Sequence, residues 1–254
     1  MSNITVVLPA YNEEENIQTM VERWQQFREV LKNEYRLELQ IIAVNDGSKD
    51  RTREIAEGLE KVHDNFKLVS HSHNKGLGQA MRTGIFYFLR ECPDSTMMCL
   101  MDCDNTQDPV YITDMLDRMK ESASDVVTAS RYQKGAEVKG VSGIRLLMSS
   151  GAKYVFSVLL HVPDVKDYTC GYRLYSRRIL LNASERFGED LIEENGFTCM
   201  VELLYKLYSC GAVFAEIPFE LRYDYKKGAS KMAVLKTAVN SICLALRLKQ
   251  INKA

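Results

Sequence analysis

Met97-Met98-Cys99-Leu100-Met101-Asp102-Cys103-Asp104 is the stretch whose reading decides the fold. Its apolar run reads as a strand buried on both faces, and two carboxylates one residue apart mark the strand's carboxyl end. Mg²⁺ or Mn²⁺ takes oxygen ligands, often one or two carboxylates plus substrate phosphates, so Asp102 and Asp104 are candidate metal ligands. Taken alone, such a pair means little, since most are solvated loop ends. Two blocks upstream change its weight. Leu8-Pro9-Ala10-Tyr11-Asn12-Glu13 ends a first apolar strand, and Val44-Asn45-Asp46-Gly47-Ser48-Lys49-Asp50-Arg51-Thr52 ends a second.

Outward from these blocks the first half alternates strand and helix. Strands are expected over Ile4–Leu8, Leu39–Val44, Phe66–Ser70, Thr96–Met101 and Asp125–Ala129. Helices are expected over Glu13–Lys32, Asp50–Val62, Gly76–Leu89 and Pro109–Met119. Apolar strands alternating with helices predict a doubly wound α/β fold with a largely parallel sheet, which binds ligands at the carboxyl ends of its strands. All three blocks fall there. In the second half, Val141–Leu160 and Phe197–Tyr208 read as helices, Thr169–Tyr175 as a strand or turn, and Val213–Ile217 as a strand stopped by Pro218. Ala233–Lys249 carries an apolar helical face. No linker interrupts the 254 residues, so one domain is expected. Within it, 1–130 would form a nucleotide half, 131–232 an acceptor-side half and 233–254 a C-terminal amphipathic helix.

The net charge of −1 gives no reason to expect nucleic acid as a partner. Charge is uneven, however. From Arg222 to Ala254 there are eight basic residues against one acid, and from Arg131 to Lys153 five against one. Such stretches suit phosphates or an anionic membrane surface, or form a solvated face. Seven scattered cysteines without metal spacing point to a reducing, cytoplasmic setting. His71 and His73 read as a polar loop. The first strand starts almost at Met1, leaving no room for a signal peptide, and the longest uncharged runs are about half the ~20 residues of a membrane span.

In their order and spacing, the three blocks resemble the family 2 inverting glycosyltransferases of GT-A fold, and among them the polyprenol-phosphate (dolichol-phosphate mannose synthase-like) enzymes. The resemblance runs from Val6 to about Met232. It implies that Pro9 and Tyr11 shape the nucleotide pocket, Glu13 accepts from the ribose and Asp46 reads the base. Read locally, Glu13 is a helix-start acid, and Asp46-Gly47-Ser48 is a turn. Asn45 stands where the family more often has an acid. Asn74, Gly76 and Ala80 match a family turn that lets a helix start near the nucleotide. The resemblance makes Asp104 the direct metal ligand and places Asp102 also at the ribose or donor sugar. The glutamine usual two residues after the second acid is replaced by Thr106, with Gln107 one position on.

Further along, Ser130-Arg131-Tyr132 and Arg145 resemble the family's acceptor-phosphate arginines, and a guanidinium fork suits phosphate. Asp167-Tyr168-Thr169-Cys170-Gly171-Tyr172-Arg173 resembles a segment facing the acceptor, with Cys170 for the usual serine. Glu202 matches an acid that is either functional or a structural ion-pair partner. Gly228-Ala229-Ser230-Lys231-Met232 matches the signature whose lysine reaches the donor diphosphate, with Arg222 as a possible helper.

The implied reaction is transfer of a sugar from a nucleoside-diphosphate sugar, of GDP-mannose or UDP-glucose type, to a polyprenyl phosphate with inversion. The implied catalytic set is Asp104, Arg131, Arg145 and Lys231. Such an enzyme would meet the cytoplasmic face of a membrane peripherally or through a membrane partner protein. Two alternatives remain open. A hydroxyl acceptor would need a general base, with Asp167 or Glu202 as the candidate. A non-catalytic nucleotide-sugar-binding partner of a membrane protein would need none, but sits poorly with intact Asp102, Asp104 and Lys231.

Overall fold

A computed structural model describes residues 2–140, 154, 156–225 and 243–250. Nine strands are described: β1 (Ser2–Ala10), β2 (Leu37–Asn45), β3 (Phe66–Ser70), β4 (Ser95–Leu100), β5 (Val126–Ser130), β6 (Glu137–Lys139), β7 (Arg173–Ser176), β8 (Phe214–Pro218) and β9 (Glu220–Arg222). The helices are α1 (Ile17–Gln26), α2 (Arg28–Tyr35), α3 (Thr52–Val62), α4 (Leu77–Glu91), α5 (Tyr111–Ser122), α6 (residues 156–160), α7 (Arg177–Phe187), α8 (Cys199–Ser209) and α9 (residues 243–250).

Seven strands form one sheet in the order β3-β2-β1-β4-β7-β5-β8. Only β7 runs against its neighbours. The sheet therefore joins strands from both halves of the sequence. Along β1, Val7 packs into one core, while Val6 and Leu8 pack into the other. This two-residue alternation is why the central strands are apolar throughout: each face meets a helical layer. The chain leaves β1 toward β2 and β3, then returns to place β4 on the other side of β1. That reversal is the switch point at which doubly wound sheets open a crevice.

Differences from the sequence reading have local causes. The helix expected over Glu13–Lys32 starts at Ile17 and breaks at Phe27 into α1 and α2. Its first residues are instead tied to the loop after β2. The segment read as a strand or turn over Thr169–Tyr175 becomes β7 only from Arg173. Helix α7 lies where the sequence pattern marks no helix; Ser176 caps it by accepting from the Ile179 N–H, and Gly188 ends it at φ +53°. The β6–β9 ribbon was also unforeseen. Of the helices expected over Val141–Leu160 and Ala233–Lys249, residues 154, 156–160 and 243–249 are described and helical; the others lie outside the described residues.

Candidate active site

Backbone-to-side-chain bonds stitch the loops after β1 and β2 together. The Asn12 N–H donates to Ser48 Oγ at 3.0 Å, and the Lys49 N–H donates back to Asn12 Oδ1 at 2.8 Å. The Glu13 N–H donates to Thr52 Oγ1 at 2.8 Å. Asn12 sits at φ +53°, a left-handed position that asparagine tolerates better than most residues. The loop after β4 joins the same cluster. Asn105 Nδ2 donates to Asn16 Oδ1 at 3.1 Å, and Asn16 Nδ2 donates to Glu13 Oε2 at 2.7 Å. Glu13 is thus linked through Asn16 to Asn105, the residue after Asp104. Pro9 is buried at the end of β1, and Tyr11 and Glu13 are partly exposed beyond it.

Asp102 and Asp104 are both partly exposed, with buried Cys103 between them. Asp104 Oδ1 accepts from the Thr106 hydroxyl at 2.6 Å and from its N–H at 3.2 Å. Gln107, which the sequence reading only noted as displaced by one, grips Asp102. Its amide donates to Asp102 Oδ2 at 3.0 Å, and its carbonyl accepts from the Asp102 N–H at 3.2 Å. Gly171 lies against the same carboxylate: a Cβ there would stand 3.2 Å from Asp102 Oδ1. The segment read as facing the acceptor therefore reaches the acidic strand end. Arg222 is tied to this loop through its backbone, its N–H donating to Thr106 O at 2.9 Å. Its guanidinium pairs with Asp224 at 2.7 Å.

Oxygen donors of this kind fit Mg²⁺ or Mn²⁺. Asn105 Oδ1, in the same loop, is a buried oxygen with no hydrogen-bond partner. Among the described residues no group of three or more His, Cys, Asp or Glu could hold a metal alone. An ion here would need substrate oxygens to complete its shell, as Mg²⁺ commonly does.

Asp46 is 2% exposed, and its carboxylate accepts three hydrogen bonds from the chain itself. His71 Nδ1 lies 2.7 Å from Oδ1, the Lys75 N–H donates to Oδ1 at 2.9 Å, and the Gly76 N–H donates to Oδ2 at 2.8 Å. His71 also reaches Thr83 Oγ1 at 2.9 Å. His71 does lie in the loop after β3, but its side chain is 7% exposed and is tied to Asp46. The register offered a clue: Asn45 pairs with Ser70, so Asp46 and His71 leave adjacent strand ends together.

Arg131 and Asp167 meet directly. Arg131 Nε and Nη2 donate to Asp167 at 2.8 and 2.7 Å, and the Arg131 N–H donates at 3.1 Å. Asp167, fully buried, also accepts from the Thr169 N–H, the Thr169 hydroxyl and the Cys170 N–H. Burial works to raise the Asp167 pKa, but the Arg131 charge and these hydrogen bonds hold it below the usual carboxylate value. The Cys170 thiol is pushed up to about 12 by burial and is inert packing. Glu202 is buried too. It pairs with Lys206 Nζ at 2.8 Å and accepts the Glu193 and Glu194 N–H groups at 3.0 and 2.8 Å. Arg145, Lys231 and the whole signature from Gly228 to Met232 lie outside the described residues.

Residues 5–182 match the family model described as Glycosyl transferase family 2. The chain belongs to this glycosyltransferase family. A polyprenol monophosphomannose synthase from Mycolicibacterium smegmatis is 28% identical over 229 residues, covering 90% of this chain and 80% of the relative. A dolichol-phosphate mannosyltransferase from Pyrococcus furiosus is 27% identical over 230 residues; the match covers 90% of this chain but 59% of that protein's length. Among solved structures, glucosyl-3-phosphoglycerate synthase from Mycobacterium tuberculosis, in complex with Mn²⁺, UDP and glucosyl-3-phosphoglycerate, superposes with a TM-score of 0.62. It is 16% identical, over 96% of this chain and 78% of that one. Mannosyl-3-phosphoglycerate synthase from Rubrobacter xylanophilus gives 0.64 at 17% identity, over 100% and 76% of the two chains. These likenesses establish the GT-A fold of this glycosyltransferase.

Proposed function

We propose that this glycosyltransferase moves a sugar from a nucleoside-diphosphate sugar to a polyprenyl phosphate, with inversion and with Mg²⁺ or Mn²⁺. An acceptor phosphate oxygen forms the new bond to the anomeric carbon as the bond to the donor diphosphate breaks. The nucleoside diphosphate leaves with the electron pair. A phosphate anion is already a nucleophile, so the reaction needs positioning and charge stabilisation rather than a base.

One observation carries the choice of acceptor. Both carboxylates considered as a base for a hydroxyl acceptor are already engaged. Asp167 accepts six hydrogen bonds and is held ionised by Arg131. Glu202 is buried against Lys206 and two backbone N–H groups. The names of the two relatives, a polyprenol monophosphomannose synthase and a dolichol-phosphate mannosyltransferase, support the same acceptor class.

In this reading Pro9, Tyr11, Glu13 and Asp46 line the nucleotide end, and Asp102 and Asp104 hold the ion. When bound, the ion neutralises charge on the diphosphate. Asp167 orients Arg131 through Nε and Nη2, leaving Nη1 for the acceptor phosphate. Arg145 would be its second cationic contact, and Lys231, aided by Arg222, would face the leaving diphosphate; these roles rest on the family resemblance. Among the described residues no helix is long and apolar enough to cross a membrane. A peripheral contact with the membrane, or a membrane partner, would then bring the lipid.

The test is transfer by purified protein from a panel of GDP- and UDP-sugars, with Mn²⁺, Mg²⁺ or EDTA. Each donor is offered a short polyprenyl phosphate and a hydroxylated glycan. Metal-dependent transfer to the lipid phosphate is expected. Transfer to the glycan alone would overturn the acceptor assignment, and full activity in EDTA would overturn the metal.

A further inference from the structure

Helix α8 carries a buried polar cluster built on Glu202 and Lys206. Glu202 is fully buried. Its Oε2 accepts the N–H groups of Glu193 and Glu194, while Oε1 faces Lys206 at 2.8 Å and Arg247 of α9 at 3.6 Å. Lys206 also holds this loop, donating to the Asp190 carbonyl and to Glu193 Oε2 at 3.0 Å. Two adjacent N–H groups on one carboxylate oxygen fix both peptide planes of the loop.

The loop held this way presses on the turn that opens α4. Asn195 O accepts the Gly78 N–H at 3.2 Å, and Asn195 Oδ1 accepts from Gln79 Nε2 at 3.2 Å. The approach is too close for side chains at the glycines. A Cβ on Gly78 would stand 1.8 Å from Glu194 O. Gly76 adopts φ +96°, and a Cβ there would stand 2.5 Å from Asn195 O. The other side of this turn binds Asp46, through the Lys75 and Gly76 N–H groups. A contiguous path of hydrogen bonds and packed backbone thus runs from Glu202 to the 193–195 loop, to the Gly76–Gly78 turn, to Asp46.

We infer that Glu202 is a positioning residue for the donor end of the site, fixing the turn beside Asp46 through the backbone of residues 193–195. This rests on the reading of Asp46 and its turn as the nucleotide end. Loss of the carboxylate loosens the turn and weakens donor use, while acceptor use, organised by Asp167 and Arg131 across β7, is spared.

The test compares wild type, Glu202→Leu and Glu202→Gln. Glutamine keeps an oxygen for the two N–H groups; leucine removes it at similar volume. Glu202→Leu should raise the donor KM about tenfold and leave the acceptor KM within about twofold, with Glu202→Gln recovering most of the loss. Amide exchange at Lys75–Gln79 should quicken in the leucine variant and return toward wild type in the glutamine variant. Unchanged exchange there, or equal changes in both KM values, would overturn the inference. If the leucine variant does not fold, Gly78→Ala strains the loop–turn contact with Glu202 intact and should show the same donor-selective loss; an unaltered donor KM would overturn the inference. Binding of UDP and GDP to wild type separates the two ideas. Quickened exchange with no binding of either nucleotide would uphold the link and overturn the nucleotide reading of the turn.

Discussion

At the carboxyl ends of β1 and β4, Glu13, Asp102 and Asp104 keep part of their surface in solvent. In the second half of the sequence, Asp167, Glu202 and Glu216 are buried among hydrogen-bond donors supplied by the chain. Glu216, for instance, accepts the Lys166 and Asp167 N–H groups at 2.8 Å each. The first set, partly exposed at strand ends, is the one we propose meets a ligand, and the second holds backbone and arginines in position. Asp46 crosses this division: it belongs to the first half of the sequence but is buried and engaged like the second set. An acid at a strand end is therefore not exposed by position alone; Asp46 directly follows β2 yet is buried among donors from the chain itself.

The sharpest test of the contrast removes one acid from each set. Asp104→Ala should lower kcat about 10³-fold, as loss of transition-state charge stabilisation does, with little change in the urea midpoint. Retained turnover would move Asp104 out of the catalytic set. Asp167→Ala should do the reverse first, destabilising the fold by about 3–5 kcal/mol by leaving Arg131 buried without its partner. A urea midpoint equal to wild type would show that the pair is not structural. Arg131→Lys keeps a charge but loses the fork, so the acceptor KM should rise about tenfold while donor binding stays within about twofold. Equal losses would break the separation between the two ends.

Smaller effects sharpen the same comparison. The Asp167 pKa is depressed in the fold, so the unfolded chain binds more protons there as pH falls. Its stabilisation is present above the ordinary value of about 3.9 and is lost as pH drops through the folded value. Urea midpoints between about pH 5 and 2.5 should fall less steeply in Asp167→Asn than in wild type. Last, His71→Ala removes one of the three groups on Asp46 and should raise the donor KM about threefold with the acceptor KM unchanged. A matching rise in the acceptor KM would show that the two ends are coupled at Asp46.

Much of the first half, the proposed donor end, is legible because its signals are local. Phe66–Ser70 was read with the boundaries of β3, and β1, β2 and β4 within a few residues, since buried parallel strands are continuous apolar runs. Helix starts were harder where loops compete for the backbone. Glu13 looks like a helical residue, yet its N–H goes to Thr52, 39 residues away. The second half, the proposed acceptor side, is least legible. Helix α7 has only a serine cap and a terminal glycine to announce it, and β7 inserts between β4 and β5 against the sequence order. Partnerships such as Arg131 with Asp167, 36 residues apart, or Gln79 with Asn195, 116 apart, leave no periodic trace.

By itself, the sequence determined the α/β alternation, the three strand-end blocks and the oxygen chemistry of Asp102 and Asp104, because apolar periodicity and short-range motifs are written in neighbouring residues. Only the tertiary structure decided which acids are buried and engaged by the chain's own donors. It consumed Asp167 and Glu202 in holding Arg131 and the 193–195 loop, and it brought His71 to Asp46. A carboxylate's capacity depends on donors that the fold brings from distant strands and loops, and those donors have no fixed place in the sequence.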